Sequence, residues 1–355
     1  MSLKAHRHAL AGRAPRLAAA SMAAGEGSVD ENQRSFPMIR HLFSRLIQAA
    51  AVLLGMSFLI YLLIGLMPGD PVDVMLMSVP NMTPEDVARL KAIYGVDKPL
   101  PERYAHWLAA VVQGDLGYSR LFARPVTEVL GQPLLNSLLL MSSSLILAVV
   151  VAVPVGTIAA LRPRGLLDNA VNLIAFAGIS LPTFWLGLML IVLFSVVLGW
   201  LPAGGVGTVG SGGGFTDRLS HLVLPVATLA LASAGAYVRH VRAAMLQVLR
   251  QDWIRTARAK GASWTRVVVH HALRNAMVPV VTILALDLGA LFSGALITET
   301  VFAYPGMGKA IYDAVMGNDF NLALAGLLLA TLLTLVGNML SDWIYVVLDP
   351  RIRYR

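Results

Sequence analysis

The sequence contains no cysteine and few charged residues. The absence of cysteine excludes disulfide bonds, thiol chemistry and cysteine metal ligands. Charged residues make up 14% of the chain and hydrophobic residues 57%, whereas a typical soluble domain carries about 25% charged residues. This shortage of charge argues against a soluble domain and predicts a membrane protein.

Uncharged apolar stretches recur along the chain at lengths that match a membrane. A helix needs about 20 apolar residues to cross the hydrocarbon core, and these stretches lack the alternation of barrel strands, so helices are expected. Pro154 and Pro182 are expected to kink the second and third spans, because proline removes a backbone hydrogen bond. The sequence predicts an all-α polytopic membrane protein with six transmembrane helices, over 46–66, 134–161, 173–201, 222–238 with a continuation past 239, 276–298 and 320–341.

Lysine and arginine are distributed unevenly around these spans. Residues 67–133 contain six Lys/Arg and eight Asp/Glu, whereas residues 239–275 contain eight Lys/Arg and one acid. Because basic loops stay on the cytoplasmic side, the basic segment and both termini are predicted to be cytoplasmic and 67–133 external. The net charge of +8 lies at helix ends and not in one soluble patch, so membrane lipid is an expected contact and nucleic acid is not.

The residues before the first span differ in composition from the rest. Residues 1–37 are rich in Ala, Arg and Ser and show no periodicity. We interpret them as a disordered N-terminal tail or a start-site artefact, and 38–355 as the transmembrane domain.

The predicted external loop, 67–133, is long enough to hold structure of its own. One helix is predicted from Thr83, the N-cap, with Asp86 as the acid of a capping box. A second is predicted over 101–114, with Tyr104 on its apolar stripe. This two-helix loop is either a lid packed on the bundle or a docking surface for a soluble partner.

The stretch QDWIRTARAKGASWTRVVVHHALRNAMVP, residues 251–279, is polar and basic between apolar blocks. Trp253 opens a helical pattern before Gly261, and Trp264 opens another after it, with basic residues on the other faces. The pattern predicts two short amphipathic helices that meet at the glycine, within a cytoplasmic loop over 246–276. From periodicity alone, the loop either merely binds anionic lipid head groups or serves a further function.

Several short blocks carry more specific information. Residues 255–257 read Arg-Thr-Ala, Gly261 follows after three residues, and 273–274 read Leu-Arg. These positions resemble the coupling loop of ABC importer permeases, in which a Glu-Ala-Ala triplet, a glycine and a Leu-Pro pair stand; that acid and that proline are absent here. The form RTARAKGAS with LRNAMVP resembles the dipeptide/oligopeptide/nickel branch. Further blocks agree in order, namely MPGDPV at 67–72, GDLGYS at 114–119, GISLPTFWLG at 178–187, TETVFAYPGMGKAI at 298–311 and DPRIRYR at 349–355.

The resemblance, which covers the chain from Met38, implies a machine of several subunits. In such importers two homologous permeases form the pathway, two cytoplasmic ATPases holding ATP and Mg drive it, and an external binding protein, periplasmic or lipid-anchored, delivers the substrate. Gly261 is then the corner of a rigid elbow, whose basic face meets an acidic groove on the ATPase, although charge alone also suits lipid. The implied coupling residues are Arg255, Thr256, Ala257, Arg258, Lys260, Gly261 and Leu273.

The chain itself is not expected to hydrolyse ATP or to hold a metal or cofactor. The nearest approach to a phosphate-binding loop is YPGMGKA at 304–310, where Ala303 replaces the first glycine and Ala310 the Mg-binding Ser/Thr. His270 and His271 point in different directions on a helix, and no carboxylate lies one turn away. Energy is therefore expected to come from partner ATPases.

Polar residues within the spans are candidates for the translocation pathway or its gate, since burying them in lipid is costly. Asp287, about eleven residues into the fifth span and near mid-membrane, either accepts a peptide's amino group or contacts another helix. Glu299 is expected to serve as a gate or in a structural role, and Asn136 is a weaker candidate.

Together these features predict a permease subunit of the bacterial inner membrane that works by alternating access. An ion-coupled secondary transporter is the alternative, and an intramembrane enzyme ranks last because no buried nucleophile and base are evident. The substrate stays open among dipeptides, longer peptides, glutathione-like peptides and nickel chelates.

Overall fold

The structure, a computed structural model, describes residues 32–66, 83, 85–86, 89, 98–208, 210, 213–287 and 295–348. Contacts divide the chain into one unit that runs to Ala51 and another that runs from Val52 to Ile352. In the first unit, residues 32–51 are helical. Most of the predicted tail and of the helix expected after Thr83 lie outside the described residues.

Helices account for nearly all of the described chain, together with two short strands and two π-helical stretches, π1 and π2. The strands are β1, Tyr118–Ser119, and β2, Arg124–Pro125, which pair antiparallel. The helices are α1 Asn32–Gly65, α2 Leu100–Val112, α3 Val126–Leu161, α4 Leu166–Ser180, α5 Thr183–Leu190, π1 Ile191–Val197, α6 Phe215–Leu249, α7 Asp252–Ala259, α8 Trp264–Arg266, π2 Val267–Leu273, α9 Arg274–Asp287, α10 Leu296–Val301, α11 Met307–Met316 and α12 Phe320–Leu348.

Five helical segments among the described residues are long and apolar enough to cross a membrane. A sixth span is obtained when α4 and the α5–π1 helix that follows it are counted together. The predicted all-α polytopic fold is confirmed, and the predicted six spans are reached when this bent pair counts as one. The five segments are Ser44–Gly65, Val126–Leu161, Phe215–Leu249, Trp264–Ala285 and Phe320–Asp342.

The third predicted span is broken, where the sequence suggested only a kink. The helices on either side of Leu181 and Pro182 meet at 102°. Leu181 is extended, with ψ of 130°, and Pro182 stands at the N-cap of α5. Proline lacks an N–H and pushes the residue before it out of the helical region. Both effects stop α4 at Ser180 and let the chain turn.

The fifth span begins earlier than predicted. The helical segment runs from Trp264 to Ala285 through α8, π2 and α9, so the second arm of the predicted elbow continues directly into the span. The described part of α9 ends at Asp287, and a separate short helix begins at Leu296. Amphipathic spacing after Trp264 marks the buried face of the start of a span, which periodicity does not distinguish from a surface helix.

In the described part of the 67–133 loop, α2 packs against α1, as expected for a lid on the bundle. α2 confirms the second predicted helix, and its Tyr104 hydroxyl lies 2.7 Å from the hydroxyl of Ser57 on α1. Trp107 contacts Tyr61, with ring centroids 5.5 Å apart. At the first predicted helix, the amide of Asp86 donates to the Thr83 hydroxyl at 3.2 Å, as the capping box requires.

The β1–β2 hairpin is hydrogen-bonded to the turn between α11 and α12. Asp319, which is 2% exposed, accepts hydrogen bonds from the Ser119 hydroxyl at 2.5 Å and from the Leu121 amide at 3.0 Å. Its other oxygen accepts from the Leu322 amide in the first turn of α12. One buried carboxylate therefore caps a helix and holds the GDLGYS block against it.

Small residues allow the long helices to approach closely. A Cβ on Gly156 of α3 would lie 2.7 Å from the carbonyl oxygen of Val238, and one on Gly235 of α6 would lie 2.5 Å from that of Ala175. Alanines such as Ala152 continue the same buried seam. This is the packing expected inside a membrane, where close contact substitutes for the hydrophobic effect between helices.

Candidate functional site

The predicted elbow is present, and its corner is Gly261. α7 ends at Ala259, and Gly261 follows with φ of +84°, a region that residues with a Cβ seldom adopt. The Gly261 amide donates to the Arg258 carbonyl at 2.9 Å and the Ala262 amide to the Ala257 carbonyl at 3.2 Å. These bonds close α7 as a helix C-terminus usually closes, and Ser263 then caps the second arm.

The inner face of the elbow is anchored in a hydrophobic core. Ile254 of α7 is 2% exposed and belongs to the same buried cluster as Met245 of α6 and Val267, Val268 and Ala272 of π2. Leu273 is half-buried and packs at the edge of this cluster. The cluster joins α7 to the end of α6 and to the start of the fifth span.

The outer face of the elbow is exposed and basic. Arg258 lies over the ring of Trp264, with its guanidinium carbon 5.0 Å from the ring centroid, and Arg255 forms an exposed ion pair with Asp252 at 3.6 Å. Ala257 is half-buried, beneath this face. The exposed residues of the predicted coupling set are Arg255, Thr256, Arg258, Lys260 and Gly261.

An ion pair that the sequence did not reveal joins α4 to α6 near this elbow. Asp168 is 1% exposed and receives two hydrogen bonds from the guanidinium of Arg242, the second at 2.7 Å. Its oxygens also accept from the Arg164 amide and the Asn172 side chain. We call Asp168 and Arg242 the clasp. The residues are 74 positions apart, and each looked like an ordinary charge beside a span.

Glu299 is enclosed within a structural junction. Its side chain is 0% exposed, and its oxygens accept from the Ser137 hydroxyl at 2.5 Å, the Ala295 amide at 3.2 Å and the Lys309 amide at 2.9 Å. Ser137 in turn accepts from the Met307 amide at 2.7 Å. The carboxylate thus caps the N-terminus of α11, where negative charge is stabilised. Of the two roles expected for Glu299, the geometry favours the structural one.

This junction explains the glycines of the block YPGMGKA. A Cβ on Gly306 would lie 2.3 Å from the carboxyl carbon of Glu299, and one on Gly308 would lie 2.7 Å from the Cα of Leu296 and 3.0 Å from a Glu299 oxygen. The helix N-terminus that would cradle a phosphate in a P-loop is therefore filled by a side chain of the same protein.

Asn136 lines a cavity of about 910 Å³. Its amide donates to the Pro305 carbonyl at 2.8 Å and accepts from Gln132 at 3.0 Å. Glu128, Gln132 and Asn136 follow one another at four-residue intervals on the cavity side of α3. Polar residues at that spacing on a spanning helix are expected to face water or protein and not lipid.

Asp287 makes a polar contact to another helix. Its carboxylate accepts a hydrogen bond from the Tyr237 hydroxyl of α6 at 2.6 Å. Asp287 is the last residue described in α9, and its mid-membrane position stays a prediction. The structure thus brings the elbow residues together. It also places Asn136 beside the Glu299 junction, since the neighbouring Ser137 donates to Glu299, whereas Asp287 contacts α6.

Comparison with known proteins gives two family matches. The family described as "Binding-protein-dependent transport system inner membrane component" matches residues 152–354, and "Binding-prot-dependent transport system membrane comp, N-term" matches residues 38–123.

Relatives match along nearly their full length. The oligopeptide transport system permease protein AppB of Bacillus subtilis (strain 168) is 38% identical over 318 residues, 89% of this chain and 100% of its own. The dipeptide transport system permease protein DppB of Escherichia coli (strain K12) is 36% identical, covering 90% and 100%. The glutathione transport system permease protein GsiC of Escherichia coli O6:H1 is 37% identical, also covering 90% and 100%. Among solved structures, a chain of the MetNI methionine ABC transporter aligns at 20% identity and a TM-score of 0.48, over 61% of this chain and 95% of that one.

Proposed function

The chain belongs to the family of binding-protein-dependent transport system inner membrane components, and from this membership we propose how it works. It forms half of a translocation pathway for short peptides, and partner ATPases drive its alternating access through the elbow at Gly261. This multi-pass permease of the inner membrane takes no part in ATP chemistry; ATP and Mg are bound by the partners. Family membership favours this function over an ion-coupled secondary transporter.

The observation that carries the proposal is the two-sided elbow. On its outer face, Arg255, Arg258 and Lys260 are exposed and accessible to a partner. On its inner face, Ile254 packs against α6 and the start of the fifth span. A surface loop that only bound lipid would need the basic residues but not the rigid anchoring. A force applied to α7 is instead passed to two membrane helices at once.

The proposed orientation places the elbow and both termini in the cytoplasm. The excess of Lys and Arg over 239–275 supports this orientation. The cavity beside Asn136 and the β1–β2 hairpin are then external, where a binding protein delivers substrate. The peptide substrate is supported by the names of the relatives, two of which are oligopeptide and dipeptide permeases.

Mild-detergent purification of the tagged protein from its native membrane tests the proposed assembly. Mass spectrometry of the purified sample is expected to find a second homologous permease and ATPase subunits in amounts comparable to the chain. Recovery of the chain alone, still active in uptake without ATP after reconstitution, would contradict the proposal. Arg255→Glu and Arg258→Glu are expected to reduce recovery of the ATPase but not of the second permease, since both residues lie on the exposed face that is proposed to contact the ATPase.

A further inference from the structure

The cavity beside Asn136 has the size of a ligand site. Its volume is about 910 Å³, and it is an open cleft lined by four separate parts of the chain: the hairpin with the first turns of α3, residues 206–208, the first turns of α6, and residues 304–313. Small-molecule sites commonly occupy about 300–1,000 Å³. The space is therefore sufficient for a peptide of a few residues.

Some of the charged groups on the cavity wall form ion pairs with each other and others do not. The Lys309 ammonium lies 2.5 Å from the Asp313 carboxylate, so these two charges offset each other. Arg124, Arg218 and Glu128 also line the cavity, and none of them forms an ion pair with any residue in the part of the chain that the structure describes. Two guanidinium groups and one carboxylate are thus available to a ligand.

The remaining wall is mostly apolar with a few amides. Phe122, Leu139, Val206 and Leu222 supply apolar surface from three segments, and Gln132 supplies an amide. A complementary ligand carries a carboxylate, one cationic group, peptide-like polar atoms and apolar side chains.

We propose that this cavity binds a short zwitterionic peptide, with the terminal carboxylate held by Arg124 and Arg218 and the terminal ammonium by Glu128. A guanidinium matches a carboxylate with two parallel hydrogen bonds, and the neighbouring N-terminus of α11 is already occupied by Glu299. The site rests on the proposed function and adds to it: the permease itself contacts both peptide termini, in addition to whatever selection the binding protein makes.

The absence of cysteine from the chain allows a direct test. Leu222→Cys places one thiol on the cavity wall, and Met316→Cys places a control thiol at a residue that is 67% exposed and lies outside the cavity. The complete complex in lipid nanodiscs, without binding protein, is labelled with a membrane-impermeant maleimide. Labelling of this subunit is measured at increasing concentrations of alanyl-leucine, of its C-terminal amide, and of its N-acetyl form.

Alanyl-leucine is expected to slow labelling at residue 222 but not at residue 316. The amide and the N-acetyl peptide are each expected to need about tenfold or higher concentrations for the same protection, since each lacks one charge-assisted contact. Arg124→Gln with Arg218→Gln is expected to weaken protection by alanyl-leucine and abolish the distinction from its amide. Glu128→Gln is expected to abolish only the distinction from the N-acetyl peptide. Lys98→Gln, which removes a positive charge outside the cavity, should change neither.

Equal protection by all three peptides, or protection by none of them, overturns the assignment of the cavity. The proposed function is judged separately by ATP-dependent uptake of alanyl-leucine into proteoliposomes that contain the unmodified complex and its binding protein. If this uptake is normal while residue 222 is never protected, the cavity assignment fails and the permease function stands. If ATP-dependent uptake is absent, the proposed function fails regardless of labelling.

Discussion

A buried carboxylate at the start of a helix stabilises that helix without any ligand. Glu299 accepts hydrogen bonds from two amides and one hydroxyl, which satisfies a group that would be costly to bury alone. The same junction positions the turn at Tyr304–Pro305. The Pro305 carbonyl in this turn accepts a hydrogen bond from the side-chain amide of Asn136. At the residue scale, Glu299 therefore positions a wall of the cavity.

Glu299→Gln tests this capping role. The substituted amide replaces one acceptor with a donor that faces backbone N–H groups, so we expect a loss of about 1–3 kcal/mol. The purified complex is heated, and the unfolding of this subunit is measured by its sensitivity to protease. The midpoint temperature of unfolding should be lower by several degrees. Glu102→Gln, at an exposed acid of α2, is the matched control and should leave the midpoint unchanged. A Glu299→Gln complex as stable as the unmodified one would contradict the capping role.

At the scale of single elements, the elbow depends on a backbone conformation that glycine adopts and most residues resist. Gly261→Val should impose strain of about 1–2 kcal/mol and displace α7 from its anchoring core. We expect ATP-dependent uptake to fall by about tenfold or more, while the protein still inserts and assembles with its permease partner. Gly261→Asn is the control, because asparagine tolerates positive φ, and it should retain most of the uptake. Normal uptake by the valine variant would remove the elbow from the mechanism.

The clasp between α4 and α6 is a second element-scale contact, and its two partners differ in burial. Asp168 is almost fully enclosed, whereas the Arg242 side chain is 23% exposed. Arg242→Met leaves a buried carboxylate without its cation, a change that typically costs about 3–5 kcal/mol. Asp168→Asn leaves the less buried partner unpaired, so its effect should be smaller.

The double variant Asp168→Asn with Arg242→Met tests whether the two side chains stabilise the protein as a pair or independently. We expect it to unfold at a higher temperature than Arg242→Met alone, because no ionised group is then left buried and unpaired. The midpoints of the two single variants and the double variant, measured in one detergent, decide the point. Strictly additive losses would mean that the two side chains are not coupled.

The sequence predicted the features that depend on neighbouring residues and missed those that depend on residues far apart in the chain. The corner at Gly261, the capping box at Thr83 and the helix around Tyr104 are local, so spacing alone located them. The right-angled break at Pro182 was predicted only as a kink, since proline shows where a helix weakens but not how far the chain turns. Asp168 and Arg242 could not be paired from sequence, because only the folded helices bring them together.

At the scale of the whole molecule, the proposed function makes the chain half of a pathway with two contact regions. In this proposal the elbow receives force from the ATPase and the cavity receives peptide, and the long α6 runs between the two regions. α6 contributes Arg218 to the cavity, Tyr237 to the contact with Asp287, and Arg242 to the clasp. A single helix therefore contributes residues to both regions, so a movement of one end can reach the other.

Uptake of labelled alanyl-leucine into proteoliposomes that contain the purified complex and the external binding protein distinguishes an ATP-driven permease from an ion-coupled transporter. With ATP enclosed, we expect accumulation against a gradient; without ATP, or with a non-hydrolysable analogue, we expect none. An imposed proton or sodium gradient should not replace ATP. Accumulation driven by such a gradient in the absence of ATP would contradict ATP-driven transport and favour an ion-coupled transporter.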